Sequence, residues 1–216
     1  MVANVAINQR LKHQLASNDI EAESFAIIAA SVDLQYLSRP EREVAARIIH
    51  ACADPSILPT LVFAPGAISA AVIALKQNHR VVTDVEMVKN AIYTSNAICY
   101  LSEISQPSEG KTRTQLGIEK AALEFGQGAV FVIGCAPTAL FSILDLHERG
   151  LISPRAVIAL PVGFVGSSQA KEALARSTIP HITNRGVRGG SAMTAAAFNA
   201  IARMAVDHYP FEEASQ

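Results

Sequence analysis

The chain has 216 residues, half of them hydrophobic, with few charges that balance to a net of −1. That length suits one α/β domain with a substantial core and is short for two. The near-neutral balance excludes a nucleic-acid binder that works through bulk positive charge.

Residues 1–17 lack a clear period and are expected to form an N-terminal arm. Asn18 and Glu21 have capping-box spacing, and Ile20, Phe25, Ile28 and Val32 form a helical apolar stripe with Ser24 beside it. By pattern alone Ser24 is a solvated or back-bonding helix serine. A second cap, Ser38 to Glu41 with Pro40 between, starts the helix EREVAARIIHACA, whose buried face is Val44, Ala45, Ile48 and Cys52. Glu43, Arg47 and His50 fall at i, i+4 and i+7, on one common face. By the same pattern His50 is a last-turn histidine that caps its helix and, when protonated, interacts favourably with the dipole.

TLVFA (60–64) reads as a strand, followed by the helix PGAISAAVIALKQN with proline in its first turn. RVVTD (80–84) is a short buried strand ending in Asp84, DVEMVKNAI continues as a helix, and AICYL (97–101) is the next strand. The polar loop SQPSEGKTRT carries Lys111 and Arg113. Its Gly110-Lys111-Thr112 is like the end of a phosphate-binding P-loop, but Ser105 stands where that motif has its first glycine. TQLGIEKAALEF (114–125) is an amphipathic helix leading into AVFVIGCAPTALFSILDLHERG (129–150). There an unalternating β-branched and aromatic run, a turn at Gly134 and a helix opening at Pro137 spell a strand buried on both faces, then a helix. RAVIALP (155–161) and PHITN (180–184) are further strands. Each precedes a glycine-rich turn and a helix, GFVGSSQAKEAL and RGVRGGSAMTAAAFNAIARMA.

The expected fold is therefore a three-layer α/β domain over residues 18–208, an open, mostly parallel sheet of about five to six strands flanked by helices, with 209–216 as a C-terminal tail. The longest apolar stretch, 129–144, is too short for a membrane span and is broken by Gly134 and Pro137. Cys52, Cys99 and Cys135 have no C-x-x-C spacing, and the N-terminus has no signal pattern, so a reducing cytoplasm is the expected setting.

In an open sheet of this kind the ligand sits outside the carboxyl ends of the strands. The turns 133–138, 162–168 and 186–191 belong to that edge, two of them open helices with N–H donors, and Arg113, Arg185 and Arg188 lie in nearby loops. This describes a site for a ligand with several anionic groups. There is no G-x-G-x-x-G fingerprint, no metal-ligand spacing and no G-x-S-x-G elbow. Among titratable residues His50, with Arg47 one turn earlier, is the best acid–base candidate. The residues alone stop at an α/β enzyme or binder for a polyanion.

The segments RIIHACADP, TDVEMVKNAI, GKTRT, VIGCAPTALFSILDL, LPVGFVGSSQAKEAL and GVRGGSAMTAAAFNAIA, in this order and spacing, resemble the precorrin-8X (cobalt-precorrin-8) methylmutase family, from about residue 18 to about 205. The resemblance implies a homodimeric isomerase of cobalamin (corrin) biosynthesis that uses no cofactor and no protein-bound metal. It would move the ring-C methyl of a tetrapyrrole-derived corrin precursor from C-11 to C-12. It implies His50 as catalytic proton donor, Ser24 and Arg47 as substrate contacts, and Arg113 as a partner for a propionate or acetate carboxylate. The turn bearing Thr138, and Arg188 with Gly189, Gly190 and Ser191, complete the expected substrate-binding set. The partner implied is this small polycarboxylate, with no nucleic acid and no membrane. The chain departs from the family pattern at Glu23, where arginine is common, at Cys135, where asparagine is, and at Ala53, where glycine is. A non-catalytic corrinoid-binding paralogue and a nucleotide-dependent transferase are the alternatives.

Overall fold

The computed structural model describes residues 17–94, 96–108 and 110–211, with side chains from Ile20 onward. The expected N-terminal arm up to residue 16 and tail residues 212–216 lie outside the described residues. Six strands form one sheet in the order β1-β6-β5-β4-β2-β3, where β1 is Leu61–Phe63, β2 Val81–Thr83, β3 Ala97–Ile98, β4 Val130–Ile133, β5 Ala156–Ala159 and β6 His181–Asn184. Every pairing is parallel except β1 with β6 at one edge.

Eight α-helices complete the described fold: α1 Ser17–Ser31, α2 Arg39–Cys52, α3 Ala67–Lys76, α4 Glu86–Ala91, α5 Arg113–Phe125, α6 Pro137–Glu148, α7 Ser167–Arg176 and α8 Ser191–Met204. The strands bury side chains on both faces, so each contributes to two cores. Val130, Val132 and Ile158 face the cluster built by α2, α3, α4 and α8, while Phe131, Ile133 and Val157 face that of α5, α6 and α7. This is why the strands read as unbroken apolar runs. The alanines of α8, among them Ala195, Ala197 and Ala200, let it lie closely against Ala45 and Ala46 of α2.

Two expectations need correction, and the weak phosphate-loop likeness is not realised. The third strand stops at Ile98 and gives way to a 3-10 turn at Leu101–Glu103, because this edge strand has a single neighbour to hold it. Ile20, placed on the buried stripe of α1, is 47% exposed. Only Phe25 and Ile28 of that stripe are buried; Val32 is half-buried at the helix's end. The Gly-Lys-Thr segment is a helix cap rather than a phosphate loop: Thr112 accepts the Gln115 N–H, and Lys111 pairs with Glu119 at 2.8 Å.

Candidate active site

The histidine helix α2 begins where Glu41 accepts both the N–H and the hydroxyl of Ser38, at 2.8 and 2.6 Å. It ends at Ala53 in a left-handed conformation. His50, in its last turn, is half-buried against the Phe25 ring, with centroids 5.7 Å apart. Ser24 of α1 places its Oγ 2.7 Å from His50 Nδ1. Two consecutive helices thus bring together a serine and a histidine 26 residues apart, because the neighbouring Phe25 is buried in the same seam. Arg47, one turn before His50, lies with its guanidinium 5.0 Å from the Phe25 ring centroid.

Arg47 is not free. It pairs with Glu21 of α1, and the same carboxylate accepts from Arg203 of α8 at 2.6 Å. Burial works against the Glu21 anion. The hydrogen bonds and charges of Arg47 and Arg203 outweigh it and hold its pKa below the usual carboxylate range. The sequence offered Glu21 only as a capping-box acid, and Arg203 was not singled out. Only the packing of α1, α2 and α8 brings them together.

Beyond the end of α2, Arg188 pairs with Asp54 and donates to Ser56 Oγ at 3.0 Å and Ser56 O at 2.9 Å. Hydrogen bonds from Ser56, with Arg188 behind them, keep the Asp54 pKa low. Gly189 and Gly190 follow at φ +158 and +126, and a Cβ on Gly189 would come within 2.1 Å of the Leu160 carbonyl oxygen. The close approach requires glycine, and Gly190 N–H donates to that oxygen at 2.7 Å. Ser191 opens α8, and its Cα lies against Gly134 of the β4–α6 turn. Gly163 N–H donates to Val187 O at 3.0 Å, so the three glycine turns meet at the carboxyl edge as expected.

The N–H donors of the β4–α6 turn are, however, already taken. Asp84, at the end of β2 and 2% exposed, accepts from Gly134, Cys135 and Ala136 at 3.1, 2.8 and 2.8 Å. Burial raises its pKa while the three amides favour its ionised form. The turn is thus built around an internal carboxylate instead of waiting for an external anion. An acid at the end of a strand next to a helix N-terminus was the sequence signal for this. Thr138, one residue into α6, has its Oγ1 2.8 Å from that of Thr112. Arg113 next to it donates to Ile104 O at 2.6 Å and Leu101 O at 3.1 Å, remaining exposed. Arg113 and Thr138 form one group; Ser24, Arg47 and His50 form another. The glycine turns and Ser191 connect them without a direct contact. Glu23, the departure beside Ser24, is exposed.

Among the described residues no group of three or more His, Cys, Asp or Glu side chains is placed to hold a metal ion, and no helix is long and apolar enough to cross a membrane.

Comparison with known proteins gives one consistent answer. Residues 19–204 match the family model described as precorrin-8X methylmutase. A precorrin-8X methylmutase of Sinorhizobium sp is 39% identical over 198 residues, covering 86% of this chain and 94% of the relative. A cobalt-precorrin-8 methylmutase of Methanothermobacter thermautotrophicus is 38% identical, covering 82% and 87%. Among solved structures, the precorrin-8X methylmutase of Thermus thermophilus superposes with a TM-score of 0.78 at 29% identity, over 88% of this chain and 97% of that one. The chain belongs to the precorrin-8X methylmutase family.

Proposed function

We propose that this protein is an isomerase of cobalamin biosynthesis, moving the ring-C methyl of a precorrin-8-type macrocycle from C-11 to C-12, with His50 as the proton donor. The migration breaks one carbon–carbon bond as it forms another, so no atoms enter or leave. The ring needs only a proton that is lent and then recovered. The observation that carries the reading is the 2.7 Å contact between Ser24 Oγ and His50 Nδ1. A hydroxyl oxygen can accept from Nδ1–H both in the imidazolium and in the neutral ring left when Nε2 gives up its proton. Ser24 therefore supports His50 before and after transfer, and Nε2 is the nitrogen left to face the ligand.

Arg47, and Arg188 with the Gly189–Ser191 segment, supply guanidinium and backbone donors for the substrate carboxylates, and Arg113 and Thr138 supply them on the other side of the glycine turns. Exposed apolar residues such as Ile27, Met87, Tyr93 and Phe164 support a homodimer, and the biosynthetic role supports a cytoplasmic setting.

The test is turnover of precorrin-8X, followed by the visible spectrum of the corrin product. A placed acid contributes about 10²–10⁴-fold in rate, so His50→Ala should lose that order of turnover while still binding product. Near-normal turnover in that variant would show His50 to be structural. Binding without turnover in the wild type would make the protein a corrinoid-binding relative instead.

A further inference from the structure

Lys171 of α7 is 1% exposed. A buried ammonium ordinarily faces a carboxylate, because removing a charge from water is costly without one. Here its partners among the described residues are two neutral oxygens. Nζ donates to the Arg188 carbonyl at 2.6 Å and to Asn184 Oδ1 at 3.1 Å. Asn184, the last residue of β6 and fully buried, turns its Nδ2 to the same Arg188 carbonyl at 2.9 Å and to Arg185 O at 3.2 Å. Two buried side chains thus grip one backbone oxygen. An apolar side chain of similar length would avoid the desolvation cost but could not grip it.

That oxygen is placed where the site needs a fixed point. The Arg188 side chain runs to Asp54 and Ser56, just past the helix that carries His50. The next residues, Gly189 and Gly190, hold backbone conformations set against Leu160. We infer that Lys171 is a positioning residue for substrate binding. With Asn184 it fixes the Arg188–Gly190 segment, and it sets a positive charge behind the backbone that receives the ligand's carboxylates. The inference rests on the corrin-precursor reading above. Burial pushes the Lys171 pKa down to about 8, the shift expected of an ammonium with no counter-ion.

The experiment compares wild type with Lys171→Met, measuring the Kd of hydrogenobyrinate by visible titration and kcat and KM for precorrin-8X. Lys171→Met should raise Kd and KM by roughly tenfold with little change in kcat at saturation, because ligand placement and not the chemical step is lost. A folded variant with unchanged Kd and KM, or with a fall in kcat alone, overturns the inference. Should Lys171→Met fail to fold, Asn184→Asp keeps an acceptor for Lys171 while removing both donors to the loop. It should raise Kd in the same direction, and an unchanged Kd there overturns the inference equally. A wild type that neither binds nor turns over the macrocycle removes the corrin reading and this inference together. An active wild type with unaffected variants removes this inference alone.

Discussion

Replacing Glu21 with glutamine keeps the shape of the α1–α2–α8 junction and removes the carboxylate that faces two guanidiniums. The side chains are 27% exposed for Glu21, 12% for Arg47 and 21% for Arg203. Breaking a fully buried pair costs about 3–5 kcal/mol, whereas exposed pairs contribute about 0–1 kcal/mol. With roughly a fifth of each group still in water, the expected loss lies between, at about 2 kcal/mol. In urea unfolding this moves the midpoint by about 1 M. The pH dependence gives the sharper test. The folded-state pKa of Glu21 lies below its ordinary value of 4.5. Its contribution is therefore fully present above 4.5 and is lost as the pH falls through the lowered folded pKa. The stability gap between wild type and Glu21→Gln should be constant from pH 7 to 5 and close under more acid conditions. A gap that stays open at acid pH, or is absent at pH 7, would refute an ionic role for Glu21.

Two other expectations follow from backbone and surface. Ala53 is exposed and left-handed at φ 51, which costs a non-glycine residue about 1–2 kcal/mol; glycine returns about 0.5–1 kcal/mol of that as unfolded-state entropy. Ala53→Gly should thus stabilise by about 0.5–1 kcal/mol and raise Tm by about 2 °C, and an unchanged or lower Tm would count against the strain. Light scattering at micromolar concentration should give twice the chain mass; a species of 22.9 kDa would remove the homodimer.

The layered sheet was legible because its strands are buried on both faces and its helices open with proline, glycine or a capping box. Gly134, Pro137, Ser38 and Glu41 marked those boundaries in one dimension. The pairing of Ser24 with His50 was not legible from periodicity, since each has an ordinary helix reading and their contact depends on how α1 crosses α2. Family resemblance implied both residues separately, Ser24 as a substrate contact and His50 as a proton donor, and the geometry joins them by a hydrogen bond. The roles of Asp84, Glu21, Lys171 and Asn184 were missed for a shared reason. Each is a polar residue whose partners lie on other elements, and pattern alone places a residue on its element without naming those partners. Arg47 and Arg188 were singled out as ligand anchors, but the carboxylates that hold them, Glu21 and Asp54, were not.

Those internal carboxylates explain how a chain with a net charge of −1 can suit a polyanion. An intramolecular methyl shift draws its rate from holding the ring and moving one proton, so the local field around His50 matters more than the bulk charge. At the α1–α2–α8 junction two guanidiniums, Arg47 and Arg203, face one carboxylate, Glu21, which leaves one positive charge. Beyond the end of α2, Arg188 pairs with Asp54, while the Lys171 ammonium behind it is held by two neutral oxygens, which leaves a second. Both arginine–carboxylate pairs are partly exposed, so an arriving ligand carboxylate can share a guanidinium without stranding a buried charge. The histidine helix is thereby tied at mid-length and just past its end by groups that also leave a local excess of positive charge. Bulk composition excludes binding by bulk charge. It does not exclude a local excess of positive charge around the helix that carries His50.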